Sequence, residues 1–141
     1  MPQKGIIFRK INEKDLHSIY LEGFNEPEFI DLPFAWNNEN IAKVFVPDGA
    51  TCFAALRKKK IIGFIFGSIE NEKSYLNWIM VSERFRKNGI GSELLRLFIE
   101  ASKDRGIEKF LTSPLKNSHK AVNFFYNNGF FVRETYVELY R

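Results

Sequence analysis

In the segment Val81-Ser-Glu-Arg-Phe-Arg86-Lys-Asn-Gly89-Ile-Gly91-Ser92 an apolar, strand-like run ends, a basic loop follows, and a helix opens at two glycines. That layout can hold an anion. Successive backbone N–H groups of a turn and of a helix N-terminus converge on one point, and the positive end of the helix dipole favours a phosphate there. Gly89 and Gly91 carry no Cβ to keep a bulky phosphate from the backbone, and Arg86 and Lys87 add positive charge beside it. Two familiar glycine motifs are excluded by spacing. The dinucleotide fingerprint needs a third glycine where Leu94 stands, and the P-loop needs Gly-Lys-Ser/Thr where Gly91 is followed by Ser92 and Glu93.

The rest of the chain offers little competing chemistry. His17 and His119 are the only histidines and make no metal-ligand spacing. Cys52 is the only cysteine, so no intramolecular disulfide forms, and its apolar run Thr51-Cys-Phe-Ala-Ala-Leu56 marks a buried structural thiol. The net charge is +4, but the basic residues are spread along the chain. The one tight run, Lys58-Lys59-Lys60, sits between two strand-like segments as a solvated turn, so a nucleic-acid partner is not expected. No apolar run approaches the roughly 20 residues that span a membrane, and the N-terminus has no secretory apolar region, so a cytoplasmic protein is expected. A length of 141 residues, 45% hydrophobic and with fifteen Phe, suits one domain with a proper core.

Strands and helices alternate along the chain without linkers or repeats. Residues 5–11 read as a strand, and Asn12 with Asp15 three positions on marks a helix start running to about Gly23. Residues 24–36, with Pro27 and Pro33, read as irregular, and Asn37 caps a short helix to about Phe45. Three strands follow, at about 51–57, 61–70 and 73–81, joined by the lysine turn and by Glu70-Asn71-Glu72 into an antiparallel meander. After Gly89, Ile90, Leu94, Leu97, Phe98 and Ala101 form one helical stripe that Gly106 stops. A strand at 108–112, a helix at 118–128 and strands at 130–132 and 136–140 complete the pattern.

Arg86-x-x-Gly89-x-Gly91 resembles the pyrophosphate-binding signature of the GNAT superfamily of N-acetyltransferases, which use acetyl-CoA. Ala121-Val-Asn-Phe124-Phe125-Tyr126-Asn-Asn-Gly129-Phe130 resembles the second signature of that superfamily, and Ile6-Ile-Phe-Arg9 leading to Asn12-Glu-Lys-Asp15-Leu16 its first strand and helix. The resemblance runs in the right order along nearly the whole chain. It implies one N-acetyltransferase domain over residues 1–141, of α/β (α+β) class. Its sheet would be mixed, mostly antiparallel, of about six to seven strands, flanked by about four helices. It also implies acetyl-CoA as co-substrate, no metal, transfer to a primary amine of an unidentified acceptor, and a family in which homodimers are frequent.

By the same resemblance, Arg86, Lys87, Asn88, Gly89, Ile90, Gly91 and Ser92 hold the pyrophosphate. The backbone of Ile79, Met80 and Val81 binds the pantetheine arm, and Asn117, Ser118, Phe124 and Phe125 line it. The acceptor is walled by the aromatic and acidic residues between Phe24 and Trp36 and by the C-terminal strands.

Amine acetylation needs a neutral amine, a donor for the oxyanion and a proton for the leaving thiolate. Deprotonating a lysine amine of pKa ~10.4 at pH 7 takes about 4.6 kcal/mol, and an α-amino group of pKa ~7.8 about 1 kcal/mol, so a base matters more for the first. Candidates are Glu70 and Glu72 at the strand turn and Tyr75 or Asn77 on the strand, the latter two through water, since no carboxylate lies inside Lys73–Val81. Where the family pattern has its proton-donating tyrosine this chain has Phe125, with Tyr126 next, about 100° around the helix. Either the helix register brings Tyr126 to the sulfur, or another group or water supplies the proton. The family's asparagine ahead of this helix falls at Ser118, with Asn117 one earlier. These departures motivate a rival reading, a non-catalytic module that senses acyl-CoA.

Overall fold

Two turns of two residues each fold the middle of the chain into a meander: β2 (Phe53–Arg57), β3 (Lys60–Glu70) and β4 (Lys73–Val81). Both central residues of each turn take positive φ, Lys58 at 51° and Lys59 at 67°, Asn71 at 51° and Glu72 at 62°. That is the backbone twist a two-residue hairpin requires. The computed structural model describes residues 5–24, 38–45, 51–112, 123–125 and 127–129. The chain divides into two units, residues 1–111 and 112–141.

In the first unit, β1 (Ile6–Lys10) pairs antiparallel with β2, β2 with β3 and β3 with β4. Strand β5 (Lys109–Thr112) lies beside β4, giving the order β1-β2-β3-β4-β5. Five strands are present among the described residues; those expected at 130–132 and 136–140 lie outside them. Helix α1 (Leu16–Phe24) follows a 3-10 turn at Glu13–Asp15, α2 covers Asn38–Phe45, and α3 covers Ile90–Lys103.

One face of the sheet carries an apolar cluster. Ala54, Leu56, Phe64, Phe66, Trp78 and Met80 pack there with Ile19 of α1 and Ile41 of α2. Helix α3 packs on β3, β2 and β4. Its Ile90, Leu94 and Phe98 approach β3 at Gly63 and Gly67. A Cβ on Gly63 would lie 3.5 Å from both Ile90 and Leu94; one on Gly67 would collide with the Phe98 ring, 2.6 Å from Cδ1. The buried side of α3 is Ile90, Leu94, Leu95, Phe98 and Ser102, so the stripe expected from the sequence is rotated, with Leu97 and Ala101 only half-buried. Ser102 is drawn inward because its hydroxyl accepts from Ser74 of β4 at 2.8 Å and donates to Phe98 O at 2.9 Å.

The start of α1 is fixed by an ion pair. The Arg9 guanidinium forks onto both Asp15 carboxylate oxygens, at 2.6 and 3.0 Å, while the Asn12 N–H donates to Asp15 Oδ2 at 2.8 Å. Burial pushes the Asp15 carboxyl up, but the Arg9 hydrogen bonds, the Asn12 amide and the Arg9 charge outweigh it, and the group titrates below its ordinary value. Cys52 is buried, as expected, with Sγ 3.5 Å from Gly67 O.

Two outcomes follow for stability. Gly67→Ala is expected to destabilise by about 1–3 kcal/mol in urea unfolding, with part restored by Phe98→Leu; an unchanged midpoint would contradict the close approach of α3. Asp15 stabilises the fold fully above about pH 4–5 and loses that contribution as pH falls through its depressed folded pKa. Asp15→Asn should therefore cost about 1–2 kcal/mol at pH 7 and flatten the acid limb of a stability profile.

Candidate active site

At the end of β4 the chain makes a 3-10 turn, Glu83–Phe85, and enters α3 through Gly89, whose φ of 79° is left-handed. Glycine is needed here for the backbone angle as well as for room, a reason the sequence pattern alone does not supply. The Arg86 guanidinium turns back, its Nε donating to Val81 O at 2.8 Å, and Asn88 Nδ2 donates to Phe85 O and Arg86 O at 3.1 and 3.2 Å. These bonds hold the loop against the strand it leaves. The Glu93 N–H takes the first backbone acceptor of the helix, Gly89 O at 3.0 Å. Among the described residues no backbone acceptor is found for the amides of Ile90, Gly91 and Ser92. They are the orphan donors of a helix start, and with the dipole behind them they can receive a phosphate. Gly91 is half-buried, Ser92 exposed, Ile90 buried in the core and Lys87 exposed at φ 65°.

The strand feeding this loop is broken in register. Phe66 pairs with Trp78 but Gly67 pairs with Leu76, which leaves Asn77 as an extra residue in β4. This is a β-bulge. Leu76, opposite Gly67, faces α3, as does Ser74 through its bond to Ser102. Beyond the bulge, Trp78 and Met80 face the opposite cluster. Asn77 Nδ2 donates to Ser68 Oγ at 3.0 Å, and Tyr75 pairs with Ser68 across the strands. Tyr75, Asn77 and Ser68 thus form a half-buried polar group on the sheet face opposite α3. Ser68 was not among the residues the sequence singled out; only the cross-strand register shows it.

Glu70 is exposed at the hairpin before β4, and the whole nine-residue strand, roughly 27 Å, separates it from Val81 and the glycine loop. In the second unit Phe124 is half-buried and Phe125 buried, with their rings edge to face at 5.4 Å. The Asn128 N–H donates to Phe125 O at 3.1 Å, and Gly129 follows at φ 91°, as a helix end requires. Asn117, Ser118, Tyr126 and the acceptor wall expected at 25–36 lie outside the described residues. No group that could hold a metal ion occurs among the described residues, and no helix among them is long and apolar enough to cross a membrane.

A family model for the acetyltransferase (GNAT) family matches residues 13–130, including the glycine loop, β4 and the helical turn before Gly129. The chain belongs to the GNAT family. It is an acyltransferase with acetyl-CoA as co-substrate. The GNAT fold here is similar to that of Ard1 from Thermoplasma volcanium, with a TM-score of 0.82 at 20% identity over 92% of this chain and 85% of that one. It is similar to the PaiA N-acetyltransferase from Thermoplasma acidophilum in complex with coenzyme A, with a TM-score of 0.78 at 22% identity over 92% of each chain. Arabidopsis thaliana Naa50 in complex with the bisubstrate analogue CoA-Ac-MVNAL gives 0.76 at 18% identity over 92% of this chain and 85% of that one. At these identities the likeness is one of fold. No curated protein sequence matches the chain significantly.

The left-handed angle at Gly89 makes a direct prediction. Gly89→Ala should lower stability by about 1–2 kcal/mol, and Gly89→Asn by less, since Asn tolerates that conformation. Equal unfolding midpoints for the wild type and the Ala variant would contradict the loop geometry.

Proposed function

We propose that this GNAT protein transfers the acetyl group of acetyl-CoA to a primary amine by direct attack of the amine on the thioester carbonyl. The observation that supports this best is the row of amides at Ile90, Gly91 and Ser92, which have no backbone acceptor among the described residues and follow a bulged strand. In this reading those amides, with the backbone of Lys87, Asn88 and Gly89 and the charge of Arg86, hold the pyrophosphate. The pantetheine arm runs along the backbone of Ile79, Met80 and Val81, where an amide faces the thioester oxygen. The amine nitrogen bonds to the carbonyl carbon, the C–S bond breaks, and the electron pair leaves on sulfur. The thiolate, of pKa about 8.5, takes its proton from Tyr126 or from water.

The amine proton goes to a water held by Tyr75, with Asn77 and Ser68 fixing that side of the strand. Tyr75 is better placed than Glu70, because a base must come within hydrogen-bond reach directly or through one water. Glu70 stands exposed at the end of β3, at the hairpin before β4.

The test is thiol release from acetyl-CoA across a panel of amines. N-terminal peptides come first, prompted by the analogue bound to Arabidopsis Naa50, then lysine peptides, polyamines, amino acids and aminoglycosides. Amine-dependent release that Gly89→Glu abolishes is the expected result. Tyr75→Phe should lower kcat/KM about 10²-fold for a lysine amine and less for an α-amine, with the gap narrowing toward pH 9. Coenzyme binding without release for any amine would sink the transfer reading, and an unchanged Tyr75→Phe would sink the role of that residue.

A further inference from the structure

Beside the glycine loop the fold holds two arginine side chains in place on one aromatic ring. Ser82 N–H donates to Ile62 O at 2.8 Å, which draws the 3-10 turn Glu83–Phe85 beside the start of β3 and the lysine hairpin. Phe85, half-buried in that turn, carries two guanidinium groups. Arg57 Cζ lies 5.7 Å and Arg84 Cζ 5.8 Å from the ring centre. Stacking on an aromatic ring aims a guanidinium without neutralising it. Both arginines are exposed, and neither forms a salt bridge among the described residues.

A second observation concerns the backbone. Lys58 and Lys59, which follow Arg57 in the hairpin, and Lys87, two residues after Phe85, have φ of 51°, 67° and 65°. A residue with a Cβ costs roughly 1 kcal/mol or more there, which glycine would avoid. Positive side chains therefore stand where the backbone disfavours them. Among the described residues Glu83 is exposed in the turn itself, and Glu22 reaches Lys60 at 3.9 Å.

We infer that Arg57 and Arg84, stacked on Phe85, form a second anion subsite that takes a phosphate monoester, the 3′-phosphate on the ribose of coenzyme A. This rests on the reading that the Gly89 loop holds the pyrophosphate. The 3′-phosphate is one ribose removed from that pyrophosphate and approaches a dianion at neutral pH. Two guanidinium forks match its oxygens, and the ring keeps them from collapsing onto Glu83. The subsite makes the protein discriminate coenzyme A from dephospho-coenzyme A, which lacks only that group.

The experiment is calorimetric titration of the full chain with coenzyme A and with dephospho-coenzyme A, in the wild type, Arg57→Ala, Arg84→Ala and, as a distant control, Lys103→Ala. The expected result is wild-type preference for coenzyme A by at least about tenfold, the scale of charge-assisted hydrogen bonds. That preference should fall toward unity in both arginine variants and persist in Lys103→Ala. Equal wild-type affinity for the two ligands, or arginine variants that weaken both by the same factor, would overturn the subsite while leaving the pyrophosphate loop standing. If neither ligand binds the wild type, the pyrophosphate reading falls first and the subsite with it. Thermal melting of each variant confirms that a lost preference is not lost folding.

Discussion

The close approach of α3 to β3 is the constraint on which the rest of the molecule depends. Phe98 is fully buried, and its ring occupies the space a side chain at Gly67 would fill. Leu94 and Ile90 repeat the contact at Gly63, so two glycines on one face set the height of the helix over the sheet. Three fully buried apolar side chains supply on the order of 1.5–3 kcal/mol each. Because Ile90 is the first residue of the helix, the contact that fixes the core also fixes the helix N-terminus. The amides of Ile90, Gly91 and Ser92 are thus aimed by packing.

The register shift in β4 lies directly across from that contact. Gly67 has no side chain to hold the pairing even, and the extra residue Asn77 enters at this point. The Gly67 carbonyl, where β2 has already ended, is satisfied by the Thr51 hydroxyl at 2.8 Å. The bulge changes which face each residue meets. Ser74 and Leu76 look toward α3, whereas Trp78 and Met80, with the same parity in sequence, join the cluster around α1 and α2. Asn77 and Trp78 consequently share a face, which brings an amide side chain to Ser68 beside the wall of Phe66 and Trp78. One local irregularity places both the polar group and its apolar surroundings.

Much of this was legible in the sequence because it rests on local rules. The strand at 73–81 matches its expectation at both ends, the four other described strands within a residue or two, and the Asn12–Asp15 start and the stop at Gly106 are in place. The glycine loop was legible because left-handed turns and helix starts leave chemical signatures. The bulge was not, since alternation along β4 continues unbroken through Asn77 and only the partner strand reveals the slip. For the same reason Ser68 could not be found, and Ser102, outside the expected apolar stripe, is buried against Ser74. Hairpin turns of Lys-Lys and Asn-Glu carry no glycine, so their left-handed backbone could not be read, and the lysine turn is one residue shorter than expected because Lys60 already belongs to β3.

The helix whose N-terminus is proposed to receive the pyrophosphate carries an acid in its first turn, Glu93. Such a side chain stabilises a helix but opposes a phosphate at the same end. The structure resolves the conflict within two helical turns. Arg96 donates to both Glu93 carboxylate oxygens, at 2.8 and 2.6 Å, and also binds Glu100. The Arg96 hydrogen bonds hold the Glu93 carboxyl below its ordinary range against the opposing effect of burial, and the Arg96 charge adds to them. Glu93 therefore stays ionised at neutral pH, but its charge is directed along the helix surface toward Arg96. The field at Gly89–Ser92 is left to the amides and the dipole, and that separation lets this helix start keep a stabilising acid in its first turn without turning an unpaired carboxylate toward its amides.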